Sequence, residues 1–386
     1  MIDRALKGAA SAVSPAHSEP ALPRADSPVL NVQNRARSNR TYKKPRFREG
    51  RQMRKLALWL GAGLALAATT TATRAEVTEV RLGQQFGAVY LPAMVMEHQK
   101  LVEKHLAAAG MNDVKVGWIK LGGPAAVNDA MLSGNVHFAC QGVPSLAVVW
   151  DRTRSGIAVK ALGALANNNL WLNTRNPNIH SLKDFTEKDR IAVPSLKVST
   201  QAIMMHIAAE QLWGQGNHTK LDHIIVGLPH PEAVAAVLNP GHEINTHFAT
   251  SPFHEAEMKA GLRTVTSGFD IMGGPTTGVT FTSNEKFRTE NPMVFAAVNK
   301  AFDESHAWIN SDKRRAARLY IEMTKEKKLT EDDLTASFSG QDMEYTKVPT
   351  RVGKLIDFLY RIGSVKNKAD SWKDLFFPEA HGLAGS

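Results

Sequence analysis

A single cysteine stands in the 386 residues, so no internal disulfide framework can form and no Cys cluster exists for a zinc site. Long apolar runs are missing too. The most sustained one, Leu56 to Ala68, is shorter than the roughly 20 residues a bilayer span needs, and this excludes a multi-span membrane protein. Common catalytic signatures are absent: there is no Gly-x-Ser-x-Gly elbow, no His-Glu-x-x-His helix and no Gly-x-x-x-x-Gly-Lys phosphate loop. Even the net charge of +10 is missing from most of the chain. Residues 1–75 hold 14 basic and 4 acidic side chains, which leaves 47 − 14 = 33 basic and 37 − 4 = 33 acidic for the other 386 − 75 = 311. A formally neutral body gives no reason to expect a nucleic-acid partner. What is present is ordinary globular composition, 43% hydrophobic and 22% charged, which excludes wholesale disorder and collagenous repeats. At about 150 residues per domain, this body predicts two domains with a cleft between them.

The first 75 residues read as two pieces. Residues 1–52 are rich in Pro, Ser, Asn and Arg, lack apolar periodicity and predict a disordered basic extension. From Met53 the text becomes Met53-Arg54-Lys55, the apolar run to Ala68, then small residues to Ala75, which is the pattern of a secretory signal. Counted from Met53 that signal falls within the usual range of about 15 to 30 residues, so Met53 is the expected start and 1–52 need not be translated. Because no cysteine follows the apolar run, a lipid anchor is not expected. The mature chain is expected to begin near Glu76, exported and soluble.

Strand and helix patterns alternate from there. Val77, Val80 and Leu82 predict a strand. The face Leu91, Met94, Val95, His98, Val102, His105 and Leu106 predicts one helix ending at Gly110. Val114 to Ile119 reads as a strand, Gly122-Gly123-Pro124 opens a helix through Leu132, and Val136, Phe138 and Cys140 alternate along a third strand. This alternation argues a parallel, doubly wound sheet. The pattern restarts after Leu170 with strands at 191–193, 223–226, 245–249 and 262–266 and helices at 199–213, 231–238 and 252–259. A strand at 279–282 precedes a C-terminal region that reads as helical throughout and is expected to pack on the first domain. The expected organisation is 76–170 and 275–386 as one lobe and 171–274 as the other, joined by two crossings that act as a hinge.

Open parallel sheets bind ligands beyond the carboxyl ends of their strands. Four loops there are rich in small polar residues: 84–87, 141–145, 195–200 and 250–251. Ser199 and Thr200 precede a helical face, so their hydroxyls and the free N–H groups of the first turn could meet an anion, against the competing reading of plain N-capping. His218, His223, His230, His242, His247 and His254 are spaced 5, 7, 12, 5 and 7 apart, which places no pair at i, i+4. They are read as surface or loop histidines rather than metal ligands. His98 and His105 are read as near-core, Cys140 as a small buried hydrophobe, and Trp171 and Trp213 as packing residues. No metal and no cofactor is expected.

Several stretches, taken in order, resemble a known family. They are Val80-Arg81-Leu82-Gly83-Gln84-Gln85-Phe86-Gly87 after an export signal, Leu132 to Ala139, Gly142-Val143-Pro144-Ser145, Asn176 to Phe185, Lys197 to Thr200, Tyr360 to Gly363 and Trp372 to Phe376. Together they are similar to the periplasmic substrate-binding proteins of ABC importers in the nitrate/sulfonate/taurine group. The resemblance implies an α/β type II periplasmic binding protein fold, two doubly wound lobes joined by a two-segment hinge and closing on a small anion. Carried over by position, it places Gln85 and Phe86 on the first-lobe wall and Gln141, Pro144 and Ser145 on the floor. Ser199 and Thr200 become the second-lobe anion seat, with Thr250 and Ser251 at its edge. Two positions depart from the family pattern: His137 stands where Asp is usual and Cys140 where a small residue is typical. The resemblance implies a monomeric, non-enzymatic, periplasmic subunit that hands a sulfonate, taurine, nitrate or carboxylate to a permease with its ATPase. The alternative on the same fold is an enzyme or pyrimidine-binding protein of thiamine- or menaquinone-precursor metabolism.

Overall fold

The computed structural model describes residues 75–386; the expected extension over 1–52 and the expected signal over 53–75, apart from Ala75, lie outside the described residues. Two sheets organise the chain. The first contains β1 (Glu79–Gln84), β2 (Lys115–Lys120), β3 (Phe138–Gly142) and β4 (Val159–Asn168), later joined by β10 (Thr277–Asn284) and β11 (Met343–Glu344), in the order β11-β4-β10-β3-β1-β2. The second contains β5 (Trp171–Thr174), β6 (Ile191–Val193), β7 (Ile225–Gly227), β8 (Thr246–Ala249) and β9 (Arg263–Ser267), in the order β7-β6-β8-β5-β9.

Neither sheet is purely parallel, as the alternation predicted. β10 runs antiparallel to both β3 and β4, and β5 runs antiparallel to both β8 and β9. The reversed strands are those by which the chain enters one sheet from the other. Only Asn169 and Leu170 separate β4 from β5. Parallel neighbours in one sheet need a crossover of about a dozen residues, whereas a strand arriving from another sheet is free of that constraint. The chain passes back through 268–276, so two segments connect the lobes.

Helices cover both sheets. In the first lobe lie α1 (Leu91–His98), α2 (Leu101–Ala108), α3 (Pro124–Leu132) and α4 (Val143–Thr153). The second has α5 (Thr200–Trp213), α6 (His230–Leu238) and α7 (Phe253–Lys259), and α8 (Gly268–Met272) lies on the return. After β10 come α9 (Glu285–Glu290), α10 (Pro292–Ser311), α11 (Lys313–Thr324), α12 (Glu331–Ser339) and α13 (Val352–Arg361). The single helix expected from Leu91 is two, because Lys100 takes a φ of 50° and turns the chain left-handed between them. Leu91, Met94, Val95, Val102 and Leu106 nonetheless share a buried face. His98 is exposed rather than near-core, 3.4 Å from Glu322, and half-buried His105 meets Glu304 at 2.9 Å.

β4 went unread because nine of its ten residues are buried, so no polar alternation marks it. The C-terminal region is not wholly helical, since β11 adds an edge to β4. α10 packs on α1 and α2 through Val294, Phe295, Val298, Phe302 and Ile309, each contributing about 1.5–3 kcal/mol of burial. A second apolar cluster runs from Leu146 and Val149 of α4 through Ile203 and Ile207 of α5 to Leu355 and Leu359 of α13, so the lobes share a core beside the cleft. The departure at His137 has a structural account: its Nδ1 accepts the backbone N–H of Arg81 at 3.0 Å, as a carboxylate would. Burial and the Arg81 charge lower its pKa to about 4.

Candidate functional site

The strand ends of both sheets meet at one cavity of about 40 Å³, room for a few water-sized groups. On the first-lobe side, Gln85 and Phe86 follow β1 directly, and Tyr90 comes from the short 3-10 turn after them. Gln85 is buried, with its Nε2 donating to the Cys140 carbonyl at 2.9 Å. The β3 strand delivers Gly142 to the cavity as the N-cap of α4. A Cβ on Gly142 would sit 2.5 Å from Thr200 Oγ1, so the starts of α4 and α5 can approach only because no side chain is there. From the second lobe come Thr200 and Gln201 of α5, His230 of α6 and Thr250 after β8.

The lobes touch around this cavity. Ala88 N–H donates to the Ser251 carbonyl at 2.8 Å, and Thr200 Oγ1 donates to the Gly278 carbonyl at 3.3 Å. At the opposite lip, a Cβ on Gly123 would lie 2.8 Å from the Pro194 carbonyl oxygen.

Among the described residues no Lys, Arg, Asp or Glu lines the cavity. Its polarity comes from amides, hydroxyls, one imidazole and helix ends. Gly123, Gly142 and Pro229 precede α3, α4 and α6, helices of 9, 11 and 9 residues, and none of the three supplies a side-chain cap; at the α3 start the Ala125 N–H meets Ser195 Oγ at 3.5 Å. Asn168, at the end of β4, donates from Nδ2 to the Asn169 carbonyl at 3.1 Å and toward Thr250 Oγ1 at 3.4 Å. Its Oδ1 is buried without a partner. A buried acceptor left open costs on the order of 1–3 kcal/mol, so a ligand that donates to it gains that much back. Tyr90 is buried, which raises its phenol pKa.

Of the residues expected at the site, the structure brings Gln85, Phe86, Thr200 and Thr250 together on the cavity wall. The other five face elsewhere. Gln141 Nε2 donates to Thr282 Oγ1 at 3.1 Å inside the first lobe, and Ser145 Oγ lies 2.8 Å from Asn128 Oδ1 and 3.2 Å from Gln141 Oε1. Pro144 is buried in the first turn of α4, where a missing N–H costs nothing. Ser199 is the plain cap: its Oγ accepts from Ala202 N–H at 3.1 Å and donates to the Ser195 carbonyl at 2.7 Å. Ser251 Oγ is taken by Glu255 Oε1 at 2.8 Å and lies 2.8 Å from Ser337 Oγ. The wall residues that were missed are Tyr90, Asn168, Gln201, His230 and the backbone of Gly278.

The histidine region needs the largest correction. His230 and His247 are buried, not on the surface. His230 Nε2 lies 3.2 Å from Gln201 Nε2, and its Nδ1 lies 2.8 Å from His247 Nε2. His247 Nδ1 then meets Glu257 Oε1 at 2.5 Å, and Asn173 Nδ2 donates to Glu257 Oε2 at 2.8 Å. His254 stacks on Trp171 with ring centres 4.0 Å apart. Burial first, and His247 second, push the His230 pKa well below the ordinary imidazole value. Only His223 and His242 of the six are well exposed. Among the described residues no group of three His, Cys, Asp or Glu could hold a metal. Cys140 is buried with its thiol pKa pushed up, which makes it unreactive.

No family model and no curated protein matches the chain. Solved structures do. The chain is similar to the periplasmic aliphatic sulphonate-binding protein SsuA of Escherichia coli, with TM-score 0.56 and 16% identity over 77% of this chain and 98% of that one. The periplasmic nitrate-binding protein NrtA of Synechocystis matches with TM-score 0.60 and 14% identity over 79% and 87%. A Candida albicans protein described as having the generic periplasmic binding protein structural fold matches with TM-score 0.54 and 11% identity over 80% and 99%. At such identities the likeness establishes the fold: two α/β lobes of the periplasmic binding type around an interlobe cleft.

Proposed function

We propose that this protein is the exported solute-binding subunit of an ABC importer, catching a small anion by lobe closure and delivering it to a membrane permease and its ATPase. The reading includes a leader cleaved near Ala75, a periplasmic location, a monomer, lobes bounded at 76–170, 171–274 and 275–386, and no catalytic step. Gln85, Phe86, Thr200 and Thr250 are its contact residues from the sequence, with Tyr90, Asn168, Gln201 and His230 added by the geometry. The observation that carries it is the convergence on a small interlobe cavity of three helix starts, none of them capped by its own N-cap side chain. Such ends attract an anion without a cationic side chain, and the cavity's size suits a sulfonate, nitrate or short carboxylate.

Asn168 Oδ1 sharpens the choice. An open acceptor beside anion-binding N–H groups favours a ligand that also carries a donor, which ranks taurine above nitrate. The same acceptor, in a cavity without charged side chains, favours a neutral pyrimidine as the second reading. A thermal-shift panel on the full chain separates them. A ligand at 100 times its Kd adds about 2.7 kcal/mol, a rise of several degrees. Taurine, alkanesulfonates, nitrate or carboxylates should give that rise. A response to pyrimidines alone would establish the second reading, and silence from the whole panel would end both.

A further inference from the structure

We propose that anion capture here is proton-linked: binding draws one proton into the His230–His247 pair and turns the second-lobe wall from hydrogen-bond acceptor to donor. This deepens the anion-binding reading and rests on it. With no Lys or Arg among the described residues of the wall, an anion meets only neutral donors there, and its charge is balanced only by an imported proton.

The hydrogen bonds show where that proton would go. Glu257, fully buried, accepts at both oxygens, from His247 Nδ1 at 2.5 Å and Asn173 Nδ2 at 2.8 Å, so His247 Nδ1 carries hydrogen. Between His247 Nε2 and His230 Nδ1, 2.8 Å apart, there is room for one hydrogen. When both rings are neutral it belongs to His230 Nδ1. His230 Nε2 is then a bare acceptor that takes the Gln201 amide N–H at 3.2 Å. One further proton reverses the order. His247 now carries hydrogen on both nitrogens and donates to His230 Nδ1, which moves the His230 hydrogen to Nε2. The Gln201 amide must then rotate to offer its oxygen, freeing its NH₂. Both groups lie on the cavity wall, so an anion there gains a donor where it faced a lone pair.

The charge has a place to rest. His230 stays neutral in both states, as its depressed pKa requires, and the cation sits on His247 against the Glu257 carboxylate. Phe253 of α7 stacks on His230, β6 contributes only Ile191, Ala192 and Val193, and α5 contributes Gln201. The other imidazole close by is His254, whose Nδ1 lies 3.0 Å from Asn173 Nδ2; burial lowers its pKa, against the charges of Glu255, Glu257 and Asp342, so it shares the Glu257 carboxylate with His247. Because the bound state holds the extra proton, affinity should rise as pH falls and level off once the free pair is itself protonated.

Isothermal titration of the full chain with nitrate, methanesulfonate and taurine tests this, since none of the three titrates between about pH 5.5 and about pH 7.5, either side of the ordinary imidazole value. Imidazole and bis-tris serve as buffers, because anionic buffers such as phosphate or sulfonates would compete. The expected result is binding about tenfold tighter per unit of falling pH, with a buffer-dependent heat equal to about one proton absorbed. Glu257→Gln, which keeps the shape and removes the carboxylate, should flatten both; His223→Gln, exposed beside Glu187, should change neither. Binding without proton uptake, or the same slope in a folded Glu257→Gln protein, overturns the inference and leaves anion capture standing. No binding by any of the three at either pH removes anion capture and the inference with it. Should Glu257→Gln fail to fold by circular dichroism, the proton count of the unaltered protein decides alone.

Discussion

Each lobe buries a polar layer next to the cleft, and the two layers differ in kind. In the first lobe Gln141, Ser145, Asn128 and Thr282 join amides and hydroxyls, and Thr282 closes the set by donating to the Ala139 carbonyl at 2.8 Å. None of these groups titrates near neutrality, so the layer has one hydrogen-bond arrangement at every working pH. The second lobe's layer, His230, His247, Glu257 and Asn173, has two, separated by one proton. A neutral layer fixes a wall, and an ionisable one lets the wall answer its ligand. The sharing of labour also accounts for how a cavity without charged side chains would hold the anion proposed for it.

The harshest way to break this comparison is Glu257→Ala. It leaves His247 Nδ1 and Asn173 Nδ2 without their acceptor, and each buried donor stranded in this way costs about 1–3 kcal/mol. Urea unfolding at neutral pH should show that loss; a cost under about 1 kcal/mol would mean the carboxylate is dispensable to the fold. Gln141→Ala is the matching cut in the first lobe. It strands the Ser145 and Thr282 hydroxyls less severely, because each keeps a second partner, and it opens a small cavity. A cost of about 2 kcal/mol is expected, unchanged across the imidazole range. A pH-dependent cost would show that the two layers are not distinct in kind.

Sharpening the comparison from the outside uses the lip rather than the layers. Gly123 caps α3 with an extended φ of 177°, which any residue can adopt, so Gly123→Val should fold normally. Its Cβ would nevertheless meet the Pro194 carbonyl at 2.8 Å, and backbone cannot yield as a side chain can. The lobes would have to part, and the best ligand of the thermal panel should bind about tenfold more weakly or worse. Undiminished affinity would show that closure at this lip is not part of capture.

What was legible in the sequence followed from rules about main-chain direction. Loops at the carboxyl ends of strands became the cleft, which is why Gln85, Phe86, Thr200 and Thr250 reached the wall. Side-chain direction within those loops was not legible. Gln141 and Ser145 turn into the first lobe because hydroxyls and amides there satisfy them, and no spacing rule reports that. Asn168 was hidden in a strand buried on both faces, although three consecutive Asn at the end of an apolar run were a visible mark. The histidines misled because i, i+4 arithmetic sees only one helix, whereas His230 begins α6, His247 lies on β8 and Glu257 lies on α7. Tertiary packing, not spacing, makes them one chain.

Ser199 is where the two readings of one residue part most cleanly, and the smallest effect decides between them. As an N-cap, it accepts from Ala202 N–H and gives its one hydrogen to the Ser195 carbonyl, so no donor remains for an anion. Ser199→Ala should therefore cost about 1 kcal/mol of stability, the usual value of a lost cap, while leaving affinity within about twofold. Thr200→Val, one residue on, should do the reverse, because its Oγ1 bonds only the Gly278 carbonyl across the cleft and faces the cavity. Paired urea and titration curves check both. If Ser199→Ala loses affinity and keeps its stability, the anion seat lies at the cap, and the second-lobe wall is not where the imidazole pair can reach it.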